Sequence, residues 1–138
     1  MKFRHVGIVP SNMNNSLNFY RNFGFEIIKV QIEEENYVNR LLSIESKRVK
    51  TYKLGFNGVI IVELLEYDLN TIPRLNTVLS QGITHFALEV KDIFTLYEKH
   101  KNKVEFISAP LLSPDGYAKV VYCKDPDGNF LELVEILS

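Results

Sequence analysis

The chain has 138 residues, 46% hydrophobic and 24% charged, which is enough apolar material for the core of one domain of common size. Sixteen basic and 17 acidic residues give a net charge of −1, and no basic patch is dense enough to predict nucleic-acid binding. No apolar run approaches the roughly 18 residues of a membrane span, no export signal opens the chain, and the single Cys123 is compatible with a reducing cytoplasm.

The first half of the chain predicts one helix among four strands. The Ser11-Asn12 pair can cap the helix start, and Gly24 suits its C-terminal end. The Asn-Gly pair at 57–58 is the strongest hairpin signal in the chain. The stretch 34–45 fits either a loop or a short helix. The predicted elements are a strand at 3–9, a helix at about 13–23, and strands at 25–33, 47–56 and 59–67.

The second half repeats this order. Asp92 can cap a helix of about ten residues, two prolines and a glycine favour a loop at 109–116, and Asp-Pro-Asp-Gly at 125–128 is typical of a turn. Strands are predicted at 83–90, 104–108, 117–124 and 129–136. Each half is therefore β-α-β-β-β. We predict a single domain over 1–138, with module 1 at about 1–67, a linker at 68–82 and module 2 at about 83–138.

Two short segments occur twice and repeat the same pair of side chains. His5 opens H-V-G-I-V and His85 opens H-F-A-L-E, 80 residues later. Glu63 in V-E-L-L-E and Glu132 in L-E-L-V-E are 69 residues apart, so the first copy holds about 11 extra residues, most of them in 34–45. A duplicated module with His and Glu at matching places predicts one metal site between the copies.

Strand alternation predicts that these four side chains share one face. Glu63 and Glu132 lie mid-strand among apolar neighbours, where a carboxylate without a partner is costly. The apolar face of each first strand suits packing under a helix, which leaves both histidines on the concave side with the two glutamates. Glu66 and Glu135 fall on the opposite face and are predicted to be rim or interface residues.

Other reactive side chains fit no such pattern. His100 has no counterpart in the repeat and is predicted to lie at the surface. Cys123 is predicted to be a small buried hydrophobic residue. No Ser-His-Asp arrangement and no Gly-rich phosphate loop is recognisable.

Motifs over nearly the whole chain make it resemble the vicinal oxygen chelate superfamily. The motifs are H-V-G-I-V at 5–9, N-F-Y at 18–20, G-F at 24–25, V-E-L-L at 62–65, T-H-F-A-L-E-V-K-D at 84–92 and D-P-D-G-N-F-L-E-L-V-E at 125–135. That superfamily includes glyoxalase I, methylmalonyl-CoA epimerase, extradiol dioxygenases, and fosfomycin and bleomycin resistance proteins. The resemblance implies an α+β fold of two tandem β-α-β-β-β modules, forming a curled mixed sheet around a central cleft. It also implies a divalent metal held by His5, Glu63, His85 and Glu132.

The ligand set of two histidines and two glutamates is most similar to that of glyoxalase I. It implies a metal-dependent lyase or isomerase, lactoylglutathione lyase-like, that moves a proton next to a carbonyl. The metal, Zn²⁺, Ni²⁺, Co²⁺ or Mn²⁺, would act as a Lewis acid, and Glu132 or Glu63 would be the base. The nearest alternative function is that of a methylmalonyl-CoA epimerase-like racemase. A further alternative is an antibiotic-binding resistance-type protein or an extradiol dioxygenase.

The expected partner is a small-molecule substrate, and whether it is a thiol adduct or a thioester stays open. Lys119 and Arg21 are the only cations that suggest a site for a glutathione adduct. We expect the protein to be cytoplasmic. We also expect a homodimer, because members of the superfamily usually dimerise. The strands are also more apolar than two helices could cover, at Phe56, Ile60, Leu64 and Phe130.

Overall fold

The structure, a computed structural model, describes residues 1–46 and 48–137. The predicted strand start at Lys47 and the last residue of module 2, Ser138, lie outside the described residues. The chain divides into two compact units, module 1 over Met1–Pro73 and module 2 over Arg74–Ser138. The boundary falls within the predicted linker at 68–82, which contains no helix or strand. No helix in the described part of the chain is long and apolar enough to cross a membrane.

Module 1 contains a mixed sheet in the order β1-β4-β3-β2, in which β1 runs parallel to β4 and the other pairs are antiparallel. The predicted hairpin is confirmed, since Asn57 and Gly58 both have positive φ between β3 and β4. The elements described in this module are β1 (Val6–Ile8), α1 (Met13–Asn22), β2 (Glu26–Glu34), α2 (Glu35–Leu42), β3 (Arg48–Phe56) and β4 (Val59–Tyr67).

Local sequence explains the first helix of module 1, whereas the second depends on packing. Asn12 caps α1, because its side-chain oxygen accepts a hydrogen bond from the Asn15 N–H (3.0 Å), and Gly24 follows the helix with φ +83°. α1 packs against β4, where Val62 and Leu64 are fully buried. The undecided stretch 34–45 forms α2, which packs against β2 and β3.

Module 2 repeats the plan, with a sheet in the order β5-β9-β8-β6 and a further short strand, β7, paired with β8. β5 is parallel to β9, as β1 is to β4. The predicted cap is confirmed, since an Asp92 carboxylate oxygen accepts from the Thr95 N–H (2.9 Å). The elements described here are β5 (His85–Glu89), α3 (Ile93–His100), β6 (Glu105–Phe106), β7 (Leu111–Leu112), β8 (Ala118–Lys124) and β9 (Phe130–Ile136).

The fold class is confirmed as α+β, with two modules that share the β-α-β-β-β order. Module 1 adds α2 and module 2 adds β7. The prediction of an entirely irregular loop at 109–116 is wrong, because Leu111 and Leu112 pair with β8. Prolines occupy only the flanking positions 110 and 114, so both leucines keep the N–H that a ladder needs.

Two predictions about exposure are also wrong. His100 ends α3 with only 5% of its surface exposed, so it is not a surface residue. The residues used to argue for an uncovered apolar surface are not exposed either. Leu64 and Phe130 are buried, and Phe56 and Ile60 are half-buried. The homodimer stays a prediction, but this reason for it fails.

Candidate functional site

In module 1, His5 and Glu63 form one candidate pair. Gly7 on β1 is the Cα partner of Glu63 on β4, and His5 lies two residues before Gly7, on the same face of the strand. The His5 Nε2 atom is 3.3 Å from Glu63 Oε2, and the Glu63 side chain is 13% exposed. The carboxylate therefore has a partner, as its burial requires.

Module 2 repeats this geometry with His85 and Glu132. Ala87 on β5 is the Cα partner of Glu132 on β9, so His85 again lies two residues before the matching position. The distance from His85 Nε2 to Glu132 Oε2 is again 3.3 Å, and the Glu132 side chain is 22% exposed. The parallel pairing of the first and last strands thus builds the same pair twice.

The residue directly beside each glutamate is small. The neighbour across the parallel ladder is Gly7 in module 1 and Ala87 in module 2. A Cβ atom added to Gly7 would already contact the Leu65 side chain at 3.5 Å.

On the other side of each glutamate lies a residue that sequence reasoning missed. Lys53 on β3 is the Cα partner of Glu63, and its ammonium is 3.3 Å from Glu63 Oε1. Tyr122 on β8 is the Cα partner of Glu132, and its hydroxyl is 3.2 Å from His85 Nε2. Burial, followed by the charge and hydrogen bond of Glu132, raises the pKa of Tyr122, so this phenol keeps its proton. The simple register of the Asn-Gly hairpin would pair Glu63 with Tyr52, and the register shift between Leu54 and Gly55 places Lys53 opposite Glu63 instead.

Lys119, by contrast, has a structural role. Its ammonium is 3.5 Å from Glu135 Oε1 and lies over the Phe94 ring, 5.3 Å from the centroid. Glu135 also accepts a hydrogen bond from the Ile93 N–H (2.9 Å) at the start of α3. The predicted rim or interface role of Glu135 is therefore wrong, whereas Glu66 is exposed.

The ring of His85 is oriented by a second hydrogen bond. Its Nδ1 atom is 2.9 Å from the Thr84 hydroxyl oxygen. Histidines that bind metals through Nε2 generally have such a partner on the other ring nitrogen, which fixes the ring and its tautomer. Module 1 has Arg4 at the matching position, so this support belongs to module 2.

The donor atoms of each pair fit a metal. Two ligands at about 2.0–2.2 Å from one ion, in tetrahedral or octahedral geometry, lie about 2.8–3.6 Å apart. The Nε2–Oε2 distance of 3.3 Å in both modules is within this range. In the described part of the chain, however, no three His, Cys, Asp or Glu side chains are grouped so as to hold a metal ion. The structure therefore contains two pairs, and their union around one metal stays a prediction.

The remaining titratable candidates lie outside these pairs. Cys123 is fully buried, which confirms its predicted role, and burial raises its pKa to about 12. Burial, followed by the charges of Lys99 and Lys103, lowers the pKa of His100. Both groups are therefore neutral near pH 7, and neither is suited to attack or bind a ligand from solvent.

A family model described as the Glyoxalase/Bleomycin resistance protein/Dioxygenase superfamily matches residues 2–133. Among solved structures, a glyoxalase family protein from Bacillus cereus is 17% identical with a TM-score of 0.85, over 100% of this chain and 95% of that chain. The trypanothione-dependent glyoxalase I of Leishmania major is 18% identical with a TM-score of 0.66, over 98% and 86%. Glyoxalase I from Zea mays is 20% identical with a TM-score of 0.72, over 96% of this chain and 46% of that chain. At these identities the likeness shows the fold alone. No curated protein matches the sequence.

Proposed function

We propose that this chain, which belongs to the glyoxalase/bleomycin resistance protein/dioxygenase superfamily, is a glyoxalase I-like metalloenzyme. Its reaction would be that of a lyase or isomerase, lactoylglutathione lyase-like, which moves a proton next to a carbonyl. One observation carries the proposal. The same His–Glu pair occurs in both modules, at the same strand register and with the same 3.3 Å separation. Neither fold nor core packing requires this polar duplication.

The metal would be held by His5, Glu63, His85 and Glu132, with Zn²⁺, Ni²⁺, Co²⁺ and Mn²⁺ all compatible with nitrogen and oxygen ligands. When bound, such an ion polarises a carbonyl oxygen and stabilises the charge that develops when the neighbouring carbon loses its proton. The protein contributes the orientation of the ligands. The Thr84 hydroxyl, 2.9 Å from His85 Nδ1, orients the ring of His85.

Glu132 is the better candidate for the base that takes the carbon-bound proton. Glu63 Oε1 forms an ion pair with the Lys53 ammonium at 3.3 Å, so a cation already occupies this oxygen. Glu132 lies next to Tyr122, a neutral hydroxyl that can donate a hydrogen bond without adding positive charge. Glu63 would serve mainly as a ligand, and the proton would move between the substrate carbon and Glu132.

Solvent exchange tests this chemistry directly. The protein, loaded with Zn²⁺ or Ni²⁺, would be given methylglyoxal and a thiol in D₂O, and the product followed by NMR. We expect deuterium at the carbon next to the carboxyl or thioester carbonyl. Glu132→Gln should abolish turnover, whereas Glu66→Gln, an exposed glutamate on the opposite face of β4, should leave it unchanged.

Other outcomes identify the alternatives. Exchange of a proton next to a thioester without net conversion would support an epimerase-like racemase. Oxygen consumption with a catechol and Fe²⁺ would indicate a dioxygenase, and a protein without stoichiometric metal would indicate a resistance-type binding protein. Full activity of Glu132→Gln would transfer the base role to Glu63.

We further propose that the protein acts on a small molecule as a cytoplasmic homodimer, without nucleic-acid or membrane partners. The near-neutral net charge supports the proposal that nucleic acid is not a partner. The buried, unpaired Cys123 supports a reducing, cytoplasmic location.

A further inference from the structure

A row of side chains crosses the sheet of module 1 at the level of Glu63 and contains two lysines. The Cα partners along this row are Gly7 with Glu63, Glu63 with Lys53, and Lys53 with Lys29. Side chains directly opposite each other on neighbouring strands lie on the same face of a sheet. Lys53 and Lys29 are therefore on the face that carries Glu63 and His5.

This row has more positive charge than its contacts neutralise. Two lysines directly opposite each other repel, so the arrangement is unfavourable without an anion. In the described part of the chain, Glu63 is the ion-pair partner of Lys53, and Lys29 takes part in no ion pair. The Lys53 ammonium has three N–H donors and a side chain that is 20% exposed, so it can still donate to a ligand.

The local backbone also distinguishes this position. The pairing of β2 with β3 shifts register between Ile27 and Lys29, immediately before the second lysine. Such bulges bend a strand and change the direction of the next side chains, and they are frequent beside active sites.

The matching row of module 2 lacks this charge. Ala87 pairs with Glu132 and Glu132 with Tyr122. Beyond Tyr122 lies Ile107, whose N–H donates to the Tyr122 carbonyl (2.9 Å). The duplication thus kept the His–Glu pair in both modules but placed cations beside only one of them.

We propose that Lys53, assisted by Lys29, binds an acidic group of the substrate, a carboxylate or a phosphate, next to the reacting carbonyl. The inference rests on the proposed function, since a divalent cation bound at Glu63 Oε2 would share the charge of the carboxylate that Lys53 contacts at Oε1. One carboxylate would then face the metal and two ammonium groups, and an acidic group of the substrate would balance the excess positive charge. The true substrate would be an anionic carbonyl compound.

Matched metal-binding probes test this without knowledge of the substrate. Succinic monohydroxamate and butyrohydroxamate share chain length and chelating group, but only the former ends in a carboxylate. Binding of each to the Zn²⁺-loaded full chain would be measured by calorimetry, together with the phosphonate analogue of succinic monohydroxamate. We expect the wild type to prefer an anionic probe by about tenfold, the effect of one charge-assisted hydrogen bond at a partly exposed site.

Substitutions identify the cation. Lys53→Met should remove most of the preference while butyrohydroxamate affinity stays unchanged, and Lys53→Arg should retain it. Lys29→Met should weaken the preference for the anionic probe. This variant keeps Lys53, the ion-pair partner of Glu63, so it tests the lysine row even if Lys53→Met disturbs Glu63. Lys50→Met is the control, because Lys50 lies on the opposite face of β3, over the Tyr52 ring.

The outcomes separate the two proposals. Equal affinities of the wild type for charged and uncharged probes, with Zn²⁺ bound, would overturn the anion site and leave the metal site standing. A preference for the anionic probe that persists in both Lys53→Met and Lys29→Met would also overturn the anion site and leave the metal site standing. Failure of every hydroxamate to bind, with no Zn²⁺ retained, would overturn the proposed function and this inference with it. Whichever of the carboxylate and phosphonate probes binds with the higher affinity identifies the acidic group of the substrate.

Discussion

Thr84 supports the predicted metal ligand His85 without being a ligand itself, and this makes it a sensitive test of the site. Its hydroxyl oxygen is 2.9 Å from His85 Nδ1. Thr84→Val keeps the shape of the side chain and removes this hydrogen bond. If Nε2 binds a metal, the ring loses its fixed orientation and the affinity for the metal falls.

The size of the effect follows from the exposure of the site. Losing the hydrogen-bond partner of a ligating histidine typically costs 10- to 100-fold in metal affinity, or roughly 1.4–2.8 kcal/mol. Thr84 is only half-buried, so water can replace part of the lost hydrogen bond. We therefore expect a loss near the lower limit, about tenfold. His85→Ala removes the ligand itself and should cost more than about 100-fold.

Competition with a chelating dye would give the Zn²⁺ dissociation constant of each variant. Thr71→Val is a matched control, because Thr71 is exposed in module 1. Equal affinities of Thr84→Val and Thr71→Val would refute the role of Thr84 as an orienting residue. Unchanged affinity in His85→Ala would remove His85 from the ligand set.

Three further predictions concern stability and assembly. Ser16 and Ser46 are both fully buried, but Ser16 Oγ has no hydrogen-bond partner among the described residues, whereas the Ser46 hydroxyl donates to the Asp68 carboxylate (2.6 Å). In urea unfolding, Ser16→Ala should raise the free energy of unfolding by about 1 kcal/mol and Ser46→Ala should lower it by about 1–2 kcal/mol, and the same sign for both would contradict the reasoning. The lowered pKa of His100 means that the folded chain binds its proton more weakly than the unfolded chain, so stability is lost as the pH falls below the usual value of 6.5. His100→Gln should lose less stability than the wild type between pH 7 and pH 5, and an equal loss would assign the effect to other groups. Sedimentation should give a homodimer at micromolar concentration, and a monomer would count against the proposed assembly.

Most of the fold was predictable because local chemistry and periodicity agree. The Asn-Gly turn at 57–58 fixes the hairpin, and β4 occupies the predicted range of 59–67. Capping by Asn12 and Asp92 fixes the start of both predicted helices. The stretch 34–45 stayed undecided, because its helix α2 lacks a side-chain cap hydrogen bond, and its packing against β2 and β3 is a tertiary effect.

The candidate site was predicted only in part, since sequence repeats reveal what is duplicated and not what differs. The repeat identified both His–Glu pairs. Lys53 and Tyr122 occupy matching positions but differ in type, so no repeat signal marked them. His100 was misplaced because the absence of a counterpart in the repeat carries no information about burial, which depends on how α3 packs.

The central claim is that two His–Glu pairs, one in each module, hold a single metal ion. Native mass spectrometry of the protein loaded with Zn²⁺ or Ni²⁺ measures this as the number of ions per chain, in the wild type and in His5→Ala and His85→Ala. We predict one ion per chain in the wild type and none in either variant, because each module supplies only two ligands. A wild type without metal, two ions per chain, or a full ion retained in one of the variants would contradict the shared site.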